Sequence, residues 1–80
     1  MDEVEIVHRI SQLVEDEHAL ERSHAGAAPS DDEVERLKAI EVALDQCWDL
    51  LRQRRARRDA GQDPDDASVR PERTVEGYQQ

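Results

Sequence analysis

Glu17, Glu21, His24 and Glu41 have the residue types and the spacing of a metal site. Histidines and carboxylates crowd this stretch as Glu15, Asp16, Glu17, His18, Glu21 and His24. Glu15-x-x-His18 and Glu21-x-x-His24 each carry the spacing found in carboxylate-bridged di-iron bundles. On a helix Glu17, Glu21 and His24 share one face, and Glu41 falls near them across a helical hairpin. Hard carboxylates with imidazole suit iron, manganese or zinc. The plainer reading carries more weight. Glutamate and histidine are ordinary on exposed helix surfaces, and Glu17 has Arg36 and Lys38 as charge partners. We therefore expect no cofactor and keep a metal-binding bundle as an alternative.

A second chemistry-bearing stretch is Arg52-Gln53-Arg54-Arg55-Ala56-Arg57-Arg58. Arg52, Arg54, Arg55, Arg57 and Arg58 on one helix end would grip phosphates, as in an RNA- or ribosome-associated adaptor. No aromatic or glycine-rich element beside the run reads bases, so the structural reading leads: cations complement the negative end of a helix. Cys47 reads as a small core residue, since no base is expected opposite it. The sequence holds no nucleotide-binding loop and no nucleophile with a placed base, and one hairpin has no room for a pocket of the usual ~300 Å³ or more. We expect a protein that is not an enzyme.

These residues depend on two helices. Ile6, Ile10, Leu13, Glu17 and Leu20 are spaced four, three, four and three apart, a helical stripe flanked by Val7 and Val14. Asp2, Glu3 and Glu5 lie where carboxylates favour the positive end of a helix. The pattern predicts a helix over about 3–24. Gly26 suits a left-handed C-terminal cap, and Pro29 pushes its predecessor out of helical angles. Ser30 and Glu33 form a capping box, which starts a second helix over about 31–58. Leu37, Ile40, Leu44, Cys47 and Leu51 are its stripe, flanked by Val34 and Trp48, and Gly61 and Pro64 end it. Residues 59–80 lack periodicity and read as a disordered acidic tail. Val75-Glu76-Gly77-Tyr78 is its one slightly apolar island.

A short connection makes the helices antiparallel neighbours, with facing residue numbers totalling about 57. Leu20 then meets Leu37, Glu17 meets Ile40, Leu13 meets Leu44, Ile10 meets Cys47 and Ile6 meets Leu51. Apolar meets apolar at every level but one. The fold class is all-α: an antiparallel two-helix hairpin over 1–58, followed by the tail. Two helices share one contact line, and chains this small usually need a staple. The single cysteine excludes an internal disulfide. We expect a homodimer forming a four-helix bundle, or a protein partner, with the contact on Val7, Val14, Val34, Trp48 and Leu51.

Charge sharpens this picture. Residues 1–51 carry 14 acids and 4 bases, residues 52–58 carry 5 arginines, and residues 59–80 carry 6 acids and 2 bases, which gives the net charge of −9. Such acidity disfavours non-specific nucleic-acid binding. In the predicted register Asp2, Glu3 and Glu5 come near Arg52, Arg54, Arg55 and Arg58 and balance them. No stretch approaches the ~20 apolar residues of a membrane span. The acidic start does not resemble a secretory signal, so a cytoplasmic location is expected.

Glu17-His18 with Leu20-Glu21, the block Leu44-Asp45-Gln46-Cys47-Trp48-Asp49-Leu50-Leu51-Arg52 and the arginines after it resemble a small actinobacterial family of unknown function, number 2630. Val69-Arg70-Pro71-Glu72 and Val75-Glu76-Gly77-Tyr78 are similar to that family too, so the likeness covers nearly the whole chain. It implies a size class and a source, and it assigns no activity and no site residues.

Overall fold

The computed structural model describes residues 1–23 and 26–71. Helix α1 spans Glu3–Ser23 and helix α2 spans Asp31–Asp59. Both ranges agree with the apolar spacing to within a residue. Each start is fixed by a reciprocal cap. The Ser30 hydroxyl accepts from the Glu33 N–H at 3.2 Å, while the Ser30 N–H donates to the Glu33 carboxylate at 3.5 Å. Asp2 and Glu5 make the same exchange before α1, at 2.8 and 3.3 Å. These bonds satisfy N–H groups that the first turn leaves without a helical partner. The Glu5 N–H holds the Asp2 carboxyl below its ordinary pKa.

Helix α2 closes in a Schellman turn. The Gln62 N–H reaches back to the Arg57 carbonyl at 2.7 Å, and the Gly61 N–H to that of Arg58 at 3.1 Å. Gly61 sits at φ 74°, the left-handed conformation that this turn requires and that glycine adopts without steric cost. Gly26, at φ 83°, supplies the same freedom between the helices.

The helices pack antiparallel in the register that their apolar stripes predict. At one end Arg55 Nε donates to Glu3 at 3.0 Å; at the other Ser23 Oγ lies 3.5 Å from Glu33 Oε2. Ile6, Ile10, Leu50 and Leu51 form a buried cluster, against which Val14, Leu44 and Cys47 pack. Both partners of the predicted Ile6–Leu51 and Ile10–Cys47 levels therefore share one core. Leu13 and Leu20 are buried as well, whereas Leu37 and Ile40 near the connection are half-buried. Each fully buried Ile or Leu contributes about 1.5–3 kcal/mol, so the open end of the hairpin carries most of the apolar stabilisation.

A third element explains this asymmetry. Of the tail read as disordered, residues 60–71 are described and lie against α2; residues 72–80 lie outside the described residues. Asp63 caps a single 3-10 turn, Pro64–Asp66, by accepting from the Asp65 N–H at 2.9 Å. Ala67 then packs against the Ile6, Ile10, Leu50 and Leu51 cluster. This segment forms a strap over the flank of α2 that carries Gln46, Asp49, Leu50 and Gln53. It runs antiparallel to α2, because Arg54 meets Pro64, Gln53 meets Ser68 and Gln46 meets Arg70.

Candidate interaction surface

The strap is held by a buried carboxylate. Asp49 is 0% exposed, although it is charged and lies on a polar helix. Arg70 grips both its oxygens: Nε donates to Oδ2 at 2.8 Å and Nη2 donates to Oδ1. Gln53 Nε2 donates to the same Oδ2 at 3.0 Å and to the Ser68 carbonyl at 2.8 Å. Gln46 Nε2 donates to the Arg70 carbonyl at 3.3 Å. A planar guanidinium matches a carboxylate two-for-two, which makes the pair directional as well as strong. The Arg70 hydrogen bonds pull the Asp49 carboxyl below its ordinary pKa, against the opposing effect of burial.

This clamp is not legible in the sequence pattern. Asp49 and Arg70 are 21 residues apart, and no periodicity links them. Both lie in the stretches that carry the family resemblance, which is the one available signal. Leu50 falls outside the predicted stripe for a related reason. It lies one turn from both Gln46 and Gln53, at the edge of the seam, where it packs in the cluster with Ile6 and Ile10 that Ala67 of the strap covers.

The opposite flank of the hairpin is open. Helical spacing puts Val7 and Val14 in one row on α1, and Val34, Glu41, Trp48 and Arg55 in one row on α2. Val7 is 47% exposed, Trp48 46% and Val34 37%. Val14 is half-buried against the core. Leu51 corrects the expected set: it is 2% exposed, because the residue facing Ile6 at the seam is enclosed by the hairpin itself. Around Trp48 the charges are ordered, with Glu41 and Asp45 on the side of the connection and Arg52 and Arg55 on the other.

The arginine run is largely engaged by the chain's own acids. Arg54 donates to Asp65 at 2.9 Å and to the Pro64 carbonyl at 3.2 Å. Arg55 pairs with Glu3 at 3.0 Å, and Arg58 lies 3.7 Å from Glu3 and 3.9 Å from Asp59. Arg52 and Arg57 complete the run on the same helix. At the α1 start Glu3 makes the ion pairs and Asp2 is stabilised by the Arg54 charge, with Asp65 of the strap as an unforeseen partner.

Of the alternative metal set, Glu17, Glu21 and Glu41 fall within the described residues. Among the described residues no group of three or more His, Cys, Asp or Glu side chains is placed to hold a metal ion. Glu21 and Glu41 are exposed and Glu17 is half-buried; His24 lies outside the described residues. Cys47 packs on the core as expected, and burial raises its thiol pKa, which disfavours the reactive thiolate. Among the described residues no helix is long and apolar enough to cross a membrane.

The comparisons with known proteins agree with the residue pattern. The uncharacterised protein Mb0922c of Mycobacterium bovis and the uncharacterised protein Rv0898c of Mycobacterium tuberculosis are each 50% identical to the chain over 76 residues. That span covers 92% of this chain and 86% of each relative. No solved structure matches the chain. The model of the family described as a protein of unknown function, DUF2630, matches residues 2–80. With the hairpin stripes, the Asp49 block and the Arg70 segment all inside that match, the chain belongs to the DUF2630 family.

Proposed function

We propose that this protein is a non-enzymatic helical interaction module that self-associates through its Trp48 flank into a two-fold, four-helix bundle. One observation carries the reading: a half-exposed tryptophan lies in the same helical row as exposed Val34, with Val7 of α1 exposed as well, on the flank away from the strap. Large aromatic anchors at the centre of a patch commonly dominate association energies.

The charge order around Trp48 favours a second copy as the occupant. A two-fold axis through Trp48 turns one α2 antiparallel to the other. Glu41 and Asp45 of each copy then face Arg55 and Arg52 of its mate. The surface is self-complementary, as an isologous contact requires. A reducing, cytoplasmic setting suits a chain with a lone cysteine packed on its core.

Sedimentation equilibrium at micromolar concentration tests the reading. The wild-type chain is expected to be a dimer. Trp48→Ala is expected to weaken association by about 2 kcal/mol, a ~30-fold rise in Kd, with helix content unchanged by circular dichroism. A wild-type chain that stays monomeric through that range contradicts the proposal.

A further inference from the structure

The strap lies on α2 as a peptide ligand lies in a recognition groove. Pro64, Ala67 and Arg70 are half-buried, and the residues between them are exposed. A spacing of three is the period of the 3-10 turn over Pro64–Asp66 and of polyproline II. Ala67 itself takes polyproline II angles, φ −68° and ψ 140°. That conformation makes no hydrogen bonds within itself, so its carbonyls can be read from outside. Two glutamines read them: Gln53 donates to the Ser68 carbonyl at 2.8 Å and Gln46 to that of Arg70 at 3.3 Å. Asp49, fully buried between them, takes the Arg70 side chain. The cluster of Ile6, Ile10, Leu50 and Leu51 receives the Ala67 methyl.

From this geometry we infer that the groove along Gln46, Asp49 and Gln53 binds an extended peptide of another protein, with a small apolar residue three before an arginine. The strap is a tethered competitor for that groove. Main-chain carbonyls carry no side-chain identity, so the glutamines accept the conformation, and the alanine and arginine positions set the selectivity. The strap can leave at small cost. It touches the core cluster through one small side chain, Ala67, and its other holds are polar bonds that water can replace. Helical spacing sets Asp49 away from the Leu44, Cys47 and Leu51 stripe, so the strap is what covers it. On release the carboxylate is hydrated rather than stranded in the core. The turn at Gly61 keeps the strap tethered at one end, which holds its local concentration high. An outside peptide therefore competes on affinity. The groove lies on the flank away from Trp48, so the inference does not depend on self-association.

Fluorescence anisotropy with a labelled peptide of residues 60–71 tests it on the full-length chain. In Arg70→Ala the tethered strap loses its grip, while the groove keeps Gln46, Asp49 and Gln53. That chain is expected to bind the peptide at least about tenfold more tightly than the wild type, whose groove is filled. A peptide carrying the Arg70→Ala change is expected to bind the same chain at least about tenfold more weakly than the unaltered peptide, since it lacks the two-for-two match to the carboxylate. Arg70→Lys is a second host, which keeps a charge beside Asp49 and loses the planar fork. It is expected to bind the unaltered peptide at least about threefold more tightly than the wild type. Should circular dichroism show that Arg70→Ala loses its helices, the Arg70→Lys host decides. Binding to the folded host no tighter than to the wild type overturns the inference, and so does equal binding of the two peptides. The same ranking is expected in a Trp48→Ala background, which keeps this result separate from the dimer's.

Discussion

Asp49 is the residue that most changes the view of this chain. A fully buried aspartate is costly unless it is paired and hydrogen-bonded, and Arg70 with Gln53 meets both conditions. Arg70→Ala is expected to cost about 1–3 kcal/mol, because it removes charge-assisted hydrogen bonds from a buried acceptor. For a chain of this size that lowers Tm by roughly 4–8 °C per kcal/mol in a thermal melt. The pH dependence has a defined sign. The folded Asp49 pKa is depressed, so its contribution is fully present above the ordinary aspartate value of about 3.9 and is lost as pH falls through the lower folded value. Wild-type Tm should therefore drop more steeply than that of Arg70→Ala as pH is lowered below about 4. Parallel curves for the two proteins contradict the clamp. Some acid sensitivity remains in the variant, because the Asp2 carboxyl is also depressed by its cap. Nothing in the local sequence marks Asp49 as buried: a carboxylate between Trp48 and Leu50 reads as surface until its partner's segment is placed.

Among the elements, the helices are legible because their signals are local. The apolar spacing of Ile6, Ile10, Leu13 and Leu20 sets the face of α1, and the Ser30–Glu33 box sets the start of α2. The Asp2–Glu5 box has the same three-residue spacing, yet in the sequence these acids read only as favourable charge near a helix start. Ser30→Ala is expected to destabilise the fold by about 1 kcal/mol, since the Glu33 N–H loses its acceptor; urea denaturation with an unchanged slope checks this. The strap is not legible, for a physical reason. It has no repeating apolar pattern, and side-chain amides and a guanidinium hold it rather than a backbone ladder. Its one helical signal, Asp63 before Pro64, serves a single turn. Leu51 shows the opposite error. The stripe that marks it as apolar also places it in the seam, where the hairpin encloses it.

Across the whole molecule the two flanks divide the work. One is covered by the strap, which closes the core around Ile6, Ile10, Leu50 and Leu51. The other keeps Val7, Val34 and Trp48 exposed between acids and arginines. The exposed ion pairs at the arginine end, such as Arg55 with Glu3, are each worth only ~0–1 kcal/mol, so they orient the helices more than they hold them. Apolar contact at Trp48 offers more free energy for association than such pairs do, and the ordered charges around it set its direction. The most direct test of self-association on this flank is a charge exchange followed by sedimentation. One variant carries Glu41→Arg with Asp45→Arg, the other Arg52→Glu with Arg55→Glu. Each places like charges across the two-fold axis and is expected to sediment as a monomer, while an equimolar mixture restores the dimer as a mixed pair. Dimerisation of either variant alone as tightly as the wild type, or failure of the mixture to associate when both variants are folded, would contradict the account.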